Sequence, residues 1–135
     1  MIVSENLDLV RSIYAAWERG DFGSAEWAHP NIKLILADGP SPGRWEGLRE
    51  MAAAARDFFS VWEGLHAEAE EYRALDGERV LVLDHRTGHG KTSGLELADT
   101  TTRGGTFWRM RDGKVTRLVL YFDRERALAD LGLEK

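Results

Sequence analysis

The stretch Thr106-Phe-Trp-Arg-Met-Arg-Asp-Gly-Lys-Val-Thr-Arg-Leu-Val-Leu-Tyr-Phe122 reads as two strands joined by a turn. Both arms are rich in β-branched and aromatic residues, and Arg111-Asp112-Gly113 carries the turn chemistry between them. The segment Leu97–Asp123 therefore predicts the closing hairpin of a sheet. Because a long helical region precedes it, the hairpin predicts a curved sheet wrapped around N-terminal helices. Such an arrangement makes a pocket.

Working back from this hairpin, the period is helical at the N-terminus. Leu7, Val10, Tyr14 and Trp17 recur at helical spacing after Ser4, a good N-cap, and Gly20 supplies a stop. A short second helix is expected from Asp21 to Ala28, ended by Pro30. Ile32 to Ala37 reads as a strand that breaks at Asp38-Gly39-Pro40-Ser41-Pro42-Gly43. Leu48, Met51, Ala52, Ala55, Phe59 and Trp62 mark another helix, stopped at Gly64. Strands then follow at Leu65–Leu75 and Arg79–His89. Helices segregated from a largely antiparallel sheet predict an α+β fold, with residues 1–135 as a single domain.

Register decides which side chains face the interior. A two-residue Ser93-Gly94 turn places Asp84 opposite Arg103, a favourable charge pair, and His85 opposite Thr102. Leu81, Leu83, His85, Thr87, Thr100, Thr102, Thr106 and Trp108 then share the inner face. Asp84, Arg86, Arg103, Phe107 and Arg109 share the outer one. At the last turn, a two-residue Asp112-Gly113 connection would put Trp108 with Arg117. A three-residue Arg111-Asp112-Gly113 turn with Gly113 left-handed instead collects Trp108, Thr116, Leu118, Leu120 and Phe122, and is preferred. Gly88-His89-Gly90 is a place where a bulge would reverse the facing.

Composition narrows the function classes. Eighteen basic and 23 acidic residues give a net charge of −5, which argues against nucleic-acid or anionic-membrane binding. There is no cysteine, hence no disulfide, thiolate metal site or cysteine nucleophile. Met1-Ile-Val-Ser-Glu5 lacks signal-peptide regions, so a cytoplasmic location is expected.

Three segments carry a family resemblance. They are Leu9-Val-Arg-Ser-Ile-Tyr14-Ala-Ala-Trp17-Glu-Arg-Gly20-Asp21, Gly43-Arg-Trp-Glu-Gly47, and Arg111-Asp-Gly-Lys-Val-Thr-Arg-Leu-Val-Leu-Tyr-Phe-Asp123. Together they resemble the SnoaL-like branch of the nuclear transport factor 2-like superfamily. The resemblance implies a cone-shaped, cystatin-like α+β barrel with a deep pocket, often as a homodimer. Its relatives include ketosteroid isomerases, polyketide cyclases, limonene epoxide hydrolases and scytalone dehydratases, beside members that only bind ligands or proteins. Fold alone does not choose among them.

The resemblance puts Asp38 at or near the acid–base carboxylate of the isomerases and cyclases. A carboxylate in an apolar cavity suits proton abstraction beside a carbonyl; the plainer reading is a turn-former before Gly39-Pro40. Tyr14 lies one residue from the isomerases' oxyanion donor, a role the alignment gives to Ile13. The second donor, a protonated acid, falls on Thr106, which argues against steroid isomerisation. The Asp-Arg-Asp-like cluster of the epoxide hydrolases is not clearly supplied, because Asp84 and Arg103 pair outward in the chosen register. His85 faces inward in that register and is the second candidate acid–base group; the alternative is a histidine satisfied by a threonine hydroxyl or facing solvent.

Tyr14, Trp17, Leu83, Thr87, Thr102, Thr106, Trp108, Leu118 and Phe122 complete the expected pocket. Gly90-Lys91-Thr92 echoes a phosphate loop, but the required upstream glycine is His85. His85 and His89 are spaced for a metal on a helix, not on a strand. No cofactor or metal is expected. The fitting partner is a small apolar or aromatic molecule, with a homodimer formed through the outer sheet face at Phe107, Val119 and Tyr121. Two functions stay open: a cofactor-independent isomerase, cyclase or hydrolase-like enzyme using Asp38 or His85, and a non-catalytic ligand-binding or accessory domain.

Overall fold

Val10, Ile13, Tyr14 and Trp17 repeat at the spacing that puts them on one face of a helix, and that face is buried in the computed structural model. The structure describes residues 2–19, 26–38, 42–60, 62–90 and 102–133; for residues 2–4, 58–60, 62–67, 87–90 and 102 it describes the backbone alone. Within these, the element order is α1 (Ile2–Glu18), β1 (Ala28–Leu36), β2 (Gly43–Glu46), α2 (Leu48–Ser60), β3 (Trp62–Ala74), β4 (Arg79–Gly90), β5 (Thr102–Arg111), β6 (Lys114–Tyr121) and α3 (Arg124–Asp130). The α+β expectation holds. The strands form a mixed, open curved sheet in the order β2-β1-β6-β5-β4-β3, with β1 and β6 parallel and the other pairs antiparallel.

Three expectations about the elements change, besides the bound of the helix expected from Leu48 to Trp62, which ends at Ser60 with Trp62 and Gly64 in β3. The expected helix at 21–28 lies largely outside the described residues, and its last position, Ala28, opens β1. Pro30 is accommodated where β1 slips against β6, between Ala28↔Val115 and Lys33↔Arg117, so its missing N–H breaks no regular ladder. Gly43–Glu46 is a short edge strand, paired through Leu34↔Trp45.

The third change is α3, which the sequence reading passed over. Asp123 caps it by accepting from the Glu125 N–H at 3.0 Å. At its end Leu133 N–H donates to the Leu128 carbonyl and Gly132 N–H to that of Ala129, with Gly132 at φ +69°. This paired C-terminal motif requires a left-handed residue, which glycine supplies without strain. α3 lies on the outer face of the sheet, where Ala127 packs with Phe107, Val119 and Tyr121, and Leu128 with Leu81 and Leu83. The surface expected for pairing at Phe107, Val119 and Tyr121 is therefore covered by the chain's own helix. Gly105 permits the close approach, since a Cβ there would come 3.2 Å from the Ala127 Cβ.

The turn between β5 and β6 is a two-residue one, with Asp112 at φ 53° and Gly113 at φ 77°. The pairing slips between Arg109↔Arg117 and Met110↔Val115, so Thr116 is the extra residue of a bulge. The bulge restores the facing that the three-residue turn was chosen to give. Trp108 pairs with Leu118, and Thr106 with Leu120. The grouping is as expected; the device is different.

Between β4 and β5 the register is one residue away from the expected one. Val82 faces Thr106, Asp84 faces Gly104, and His85 faces Arg103. A slip of one turns every β4 side chain to the other face. Val80 and Val82 join the main core with Trp108 and Tyr14, while Leu81 and Leu83 lie under α3. The Ser93-Gly94 turn that set the expected register lies outside the described residues.

Candidate active site

The consequence of that register is a buried polar cluster. Asp84, with 1% exposure, sits on the inner face of β4. Its Oδ2 accepts from the Tyr14 hydroxyl at 2.8 Å, the Thr106 hydroxyl at 2.5 Å and Arg86 Nη2 at 3.3 Å. Arg86, two residues on and so on the same face, also donates to Thr106 Oγ1 at 3.0 Å and to the Gly105 carbonyl at 3.3 Å. Its Nη2 is 3.1 Å from Asp84 Oδ1, forming a buried ion pair. Each member is delivered by a different rule: Tyr14 by helical period, Asp84 and Arg86 by the strand's period of two, and Thr106 by register.

The electrostatics keep Tyr14 protonated. Burial pushes its phenol well above the ordinary value, and the neighbouring Asp84 charge adds to the shift. Tyr14 is thus a fixed donor. The Asp84–Arg86 pair is neutral as a unit, which is how two charges persist in an apolar interior.

Some hydrogen-bonding capacity remains. Asp84 Oδ1, Arg86 Nη1 and Trp108 Nε1 are buried without a hydrogen-bond partner among the described residues. All three belong to the inner faces of β4 and β5. Gly104 faces Asp84, and a Cβ there would lie 3.3 Å from Oδ1 and only 2.2 Å from the Tyr121 carbonyl oxygen. Aromatic rings surround the cluster: Trp108 lies 6.0 Å from Tyr14, 5.7 Å from Trp17 and 5.6 Å from Trp27, centroid to centroid. Phe122 places its ring 5.3 Å from the Arg86 guanidinium carbon.

Of the residues expected at the site, Tyr14, Thr106, Trp108 and Phe122 gather at the cluster, with Trp17 and Leu118 in the same core. Leu83 does not; it packs against Leu128 on the outer side. His85 is corrected as well: lying between the buried Asp84 and Arg86 and opposite Arg103, it faces outward. Asp38 does not join the cluster; its carboxylate accepts from the distant N–H groups of Phe122 at 2.5 Å and Asp123 at 3.2 Å, and the Gly39-Pro40 turn lies outside the described residues. The side chains of Thr87 and Thr102 lie outside the described residues. Asp84 and Arg86, expected on the outer face, point inward, and their i, i+2 spacing is the readable signal of a same-face charge pair.

Structural comparison finds this fold, a curved sheet packed on a helix, in NTF2-like proteins. The chain aligns over 93% of its length with 95% of an NTF2-like protein of unknown function from Burkholderia pseudomallei, at 23% identity and a TM-score of 0.76. It aligns over 96% of its length with 98% of a Xanthomonas campestris protein assigned as a polyketide cyclase, at 22% identity and 0.69. TerC, co-crystallised with polyporic acid, aligns over 94% and 97% of the two chains, at 24% identity and 0.71. These likenesses show the fold. Residues 10–118 match the SnoaL-like domain model, and the chain belongs to that family. No curated protein sequence matches it. Among the described residues, no helix is long and apolar enough to cross a membrane.

Proposed function

We propose that this protein is a cofactor-independent acid–base enzyme acting on a small, neutral, apolar carbonyl metabolite, with Asp84 as the proton acceptor. The observation that carries this reading is the buried Asp84–Arg86 pair, whose Asp84 Oδ1 and Arg86 Nη1, like the neighbouring Trp108 Nε1, are without hydrogen-bond partners among the described residues. Asp84 Oδ1 takes a proton from the carbon beside the carbonyl. The C–H electron pair moves onto the carbonyl oxygen, and Arg86 Nη1 donates to the enolate so formed. The proton then returns to another carbon, or the enolate carbon closes a ring onto a second carbonyl, whose C=O electron pair moves onto its oxygen and takes the proton back from Asp84. The cluster starts as carboxylate and guanidinium and passes through carboxylic acid, guanidinium and enolate, so net charge is conserved at every stage. An anionic substrate would bring an uncompensated charge into the same interior. The similarity to proteins assigned as polyketide cyclases supports this class of ligand.

The test uses 5-nitrobenzisoxazole, a neutral aromatic carbon acid whose base-promoted ring opening releases a coloured phenolate. The wild-type chain and a His85→Ala variant are expected to open it at the same rate. Asp84→Asn should lose at least about a hundredfold in kcat. The doubly substituted Asp84→Asn/Arg86→Met protein serves as a folded control and should be equally inactive. Equal rates for wild type and Asp84→Asn would reject Asp84 as the base.

A further inference from the structure

Arg124 reaches the cluster from the far side of the sheet. It is the first residue of α3, and its Nη2 donates to the Asp84 carbonyl at 2.9 Å while its Nε donates to that of Gly104 at 3.3 Å. Asp84 and Gly104 face one another across β4 and β5. One guanidinium therefore ties together the two backbone segments that carry the carboxylate and the glycine facing it. Glu70 on β3 pairs with Arg124, and that hydrogen bond holds the exposed Glu70 carboxyl below its ordinary value. From inside the sheet, Phe122 lays its ring against Arg86. Asp38 accepts from the backbone of both Phe122 and Asp123, which fixes the chain between the two contacts.

We propose that Arg124 is a positioning residue for Asp84, and that Phe122–Arg124 forms a two-sided clamp on the ion pair. The proposal rests on the reading of Asp84 as proton acceptor. Arg124 is not needed to dock α3, which is already held by the Asp123 cap and by Ala127 and Leu128. Its planar fork suits two carbonyls at once, whereas lysine offers a single point of charge.

Arg124→Gln, Arg124→Lys and Glu70→Gln are compared by 5-nitrobenzisoxazole kinetics, thermal unfolding and carbon-13 NMR of the tyrosine rings. Loss of the clamp is expected to lower kcat by about tenfold or more with KM nearly unchanged, because small displacements of a reacting group are costly. Arg124→Lys should recover part of that loss. In Arg124→Gln the Tyr14 phenol should ionise at lower pH than in wild type, since the charge that helps raise it has moved away. Glu70→Gln, which leaves the helix contacts intact, should move both readouts in the same direction by less, and decides the matter if Arg124→Gln does not fold. A folded Arg124→Gln with wild-type kcat and wild-type Tyr14 ionisation overturns the clamp. If Asp84→Asn keeps its rate, the acid–base reading falls, and the Tyr14 signal alone then upholds or rejects the clamp.

Discussion

Removing one charge of the Asp84–Arg86 pair should harm the fold more than removing both. At 3.1 Å, the two charges attract by about 5 kcal/mol at the effective dielectric constant that suits protein interiors. Asp84→Asn deletes that attraction and leaves Arg86, only 7% exposed, as a buried cation without its counter-charge. The expected cost is about 3–5 kcal/mol, enough to lower the unfolding temperature by roughly 10–20 °C in a domain of this size. Arg86→Met strands the carboxylate instead, but Tyr14 and Thr106 still donate to it, so its cost should sit at about the lower end of that range. The double variant removes both charges and should return to within about 2 kcal/mol of wild type. Urea unfolding of the four proteins at neutral pH, followed by circular dichroism, gives the coupling energy directly. A coupling of at least about 2 kcal/mol is expected; a value below about 0.5 kcal/mol, with the single effects simply adding, refutes the pair as an energetic unit.

The tyrosines set an alkaline limit. Burial raises Tyr14 well above 10.0, and burial followed by Asp130 raises Tyr121 to about 12. Both groups hold their protons more tightly folded than unfolded, so their contribution is fully present below pH 10 and is lost as pH rises through the folded values. Stability measured in urea between pH 9 and pH 12 should fall across that window, and less steeply in Tyr14→Phe; an unchanged slope in that variant removes Tyr14 from the effect. Gly104→Ala should be the most damaging glycine substitution in β5, because its Cβ would meet the backbone oxygen of Tyr121 at 2.2 Å. A loss of more than about 2 kcal/mol is expected there, against about 1 kcal/mol or less for Gly105→Ala, whose neighbour is the Ala127 methyl; thermal melts showing the reverse order would contradict the packing described.

The hairpin around Asp112-Gly113 was legible because turn chemistry and apolar alternation agree there, and Trp108, Leu118 and Thr106 fell on the correct face. β4 was not legible in the same way. Val80–Leu83 is apolar at every position because α3 buries the outer side as well as the core burying the inner. A strand buried on both faces carries no parity signal. The parity then rests on the Ser93-Gly94 turn, whose register pairs Asp84 with Arg103, and the observed register is one residue away. Reading α3 from Asp123 and Gly132 would have exposed the ambiguity. Asp38 illustrates a different limit: its place at a strand end was readable, but the two N–H groups it holds lie more than eighty residues away in sequence.

The strand order has a consequence for how the chain comes together during synthesis. β6 is the last of the six described strands to be made, yet it stands in the middle of the sheet and provides the link from β1 and β2 to the rest. Until residues 114–121 are available, the first hairpin has no neighbouring strand to dock on, and its unpaired edge must wait through the synthesis of three more strands. Joining it then closes a loop of about eighty residues, a slow step for a small domain. Completion of the sheet, and with it the enclosure of Asp84, therefore waits until the last of these six strands has emerged.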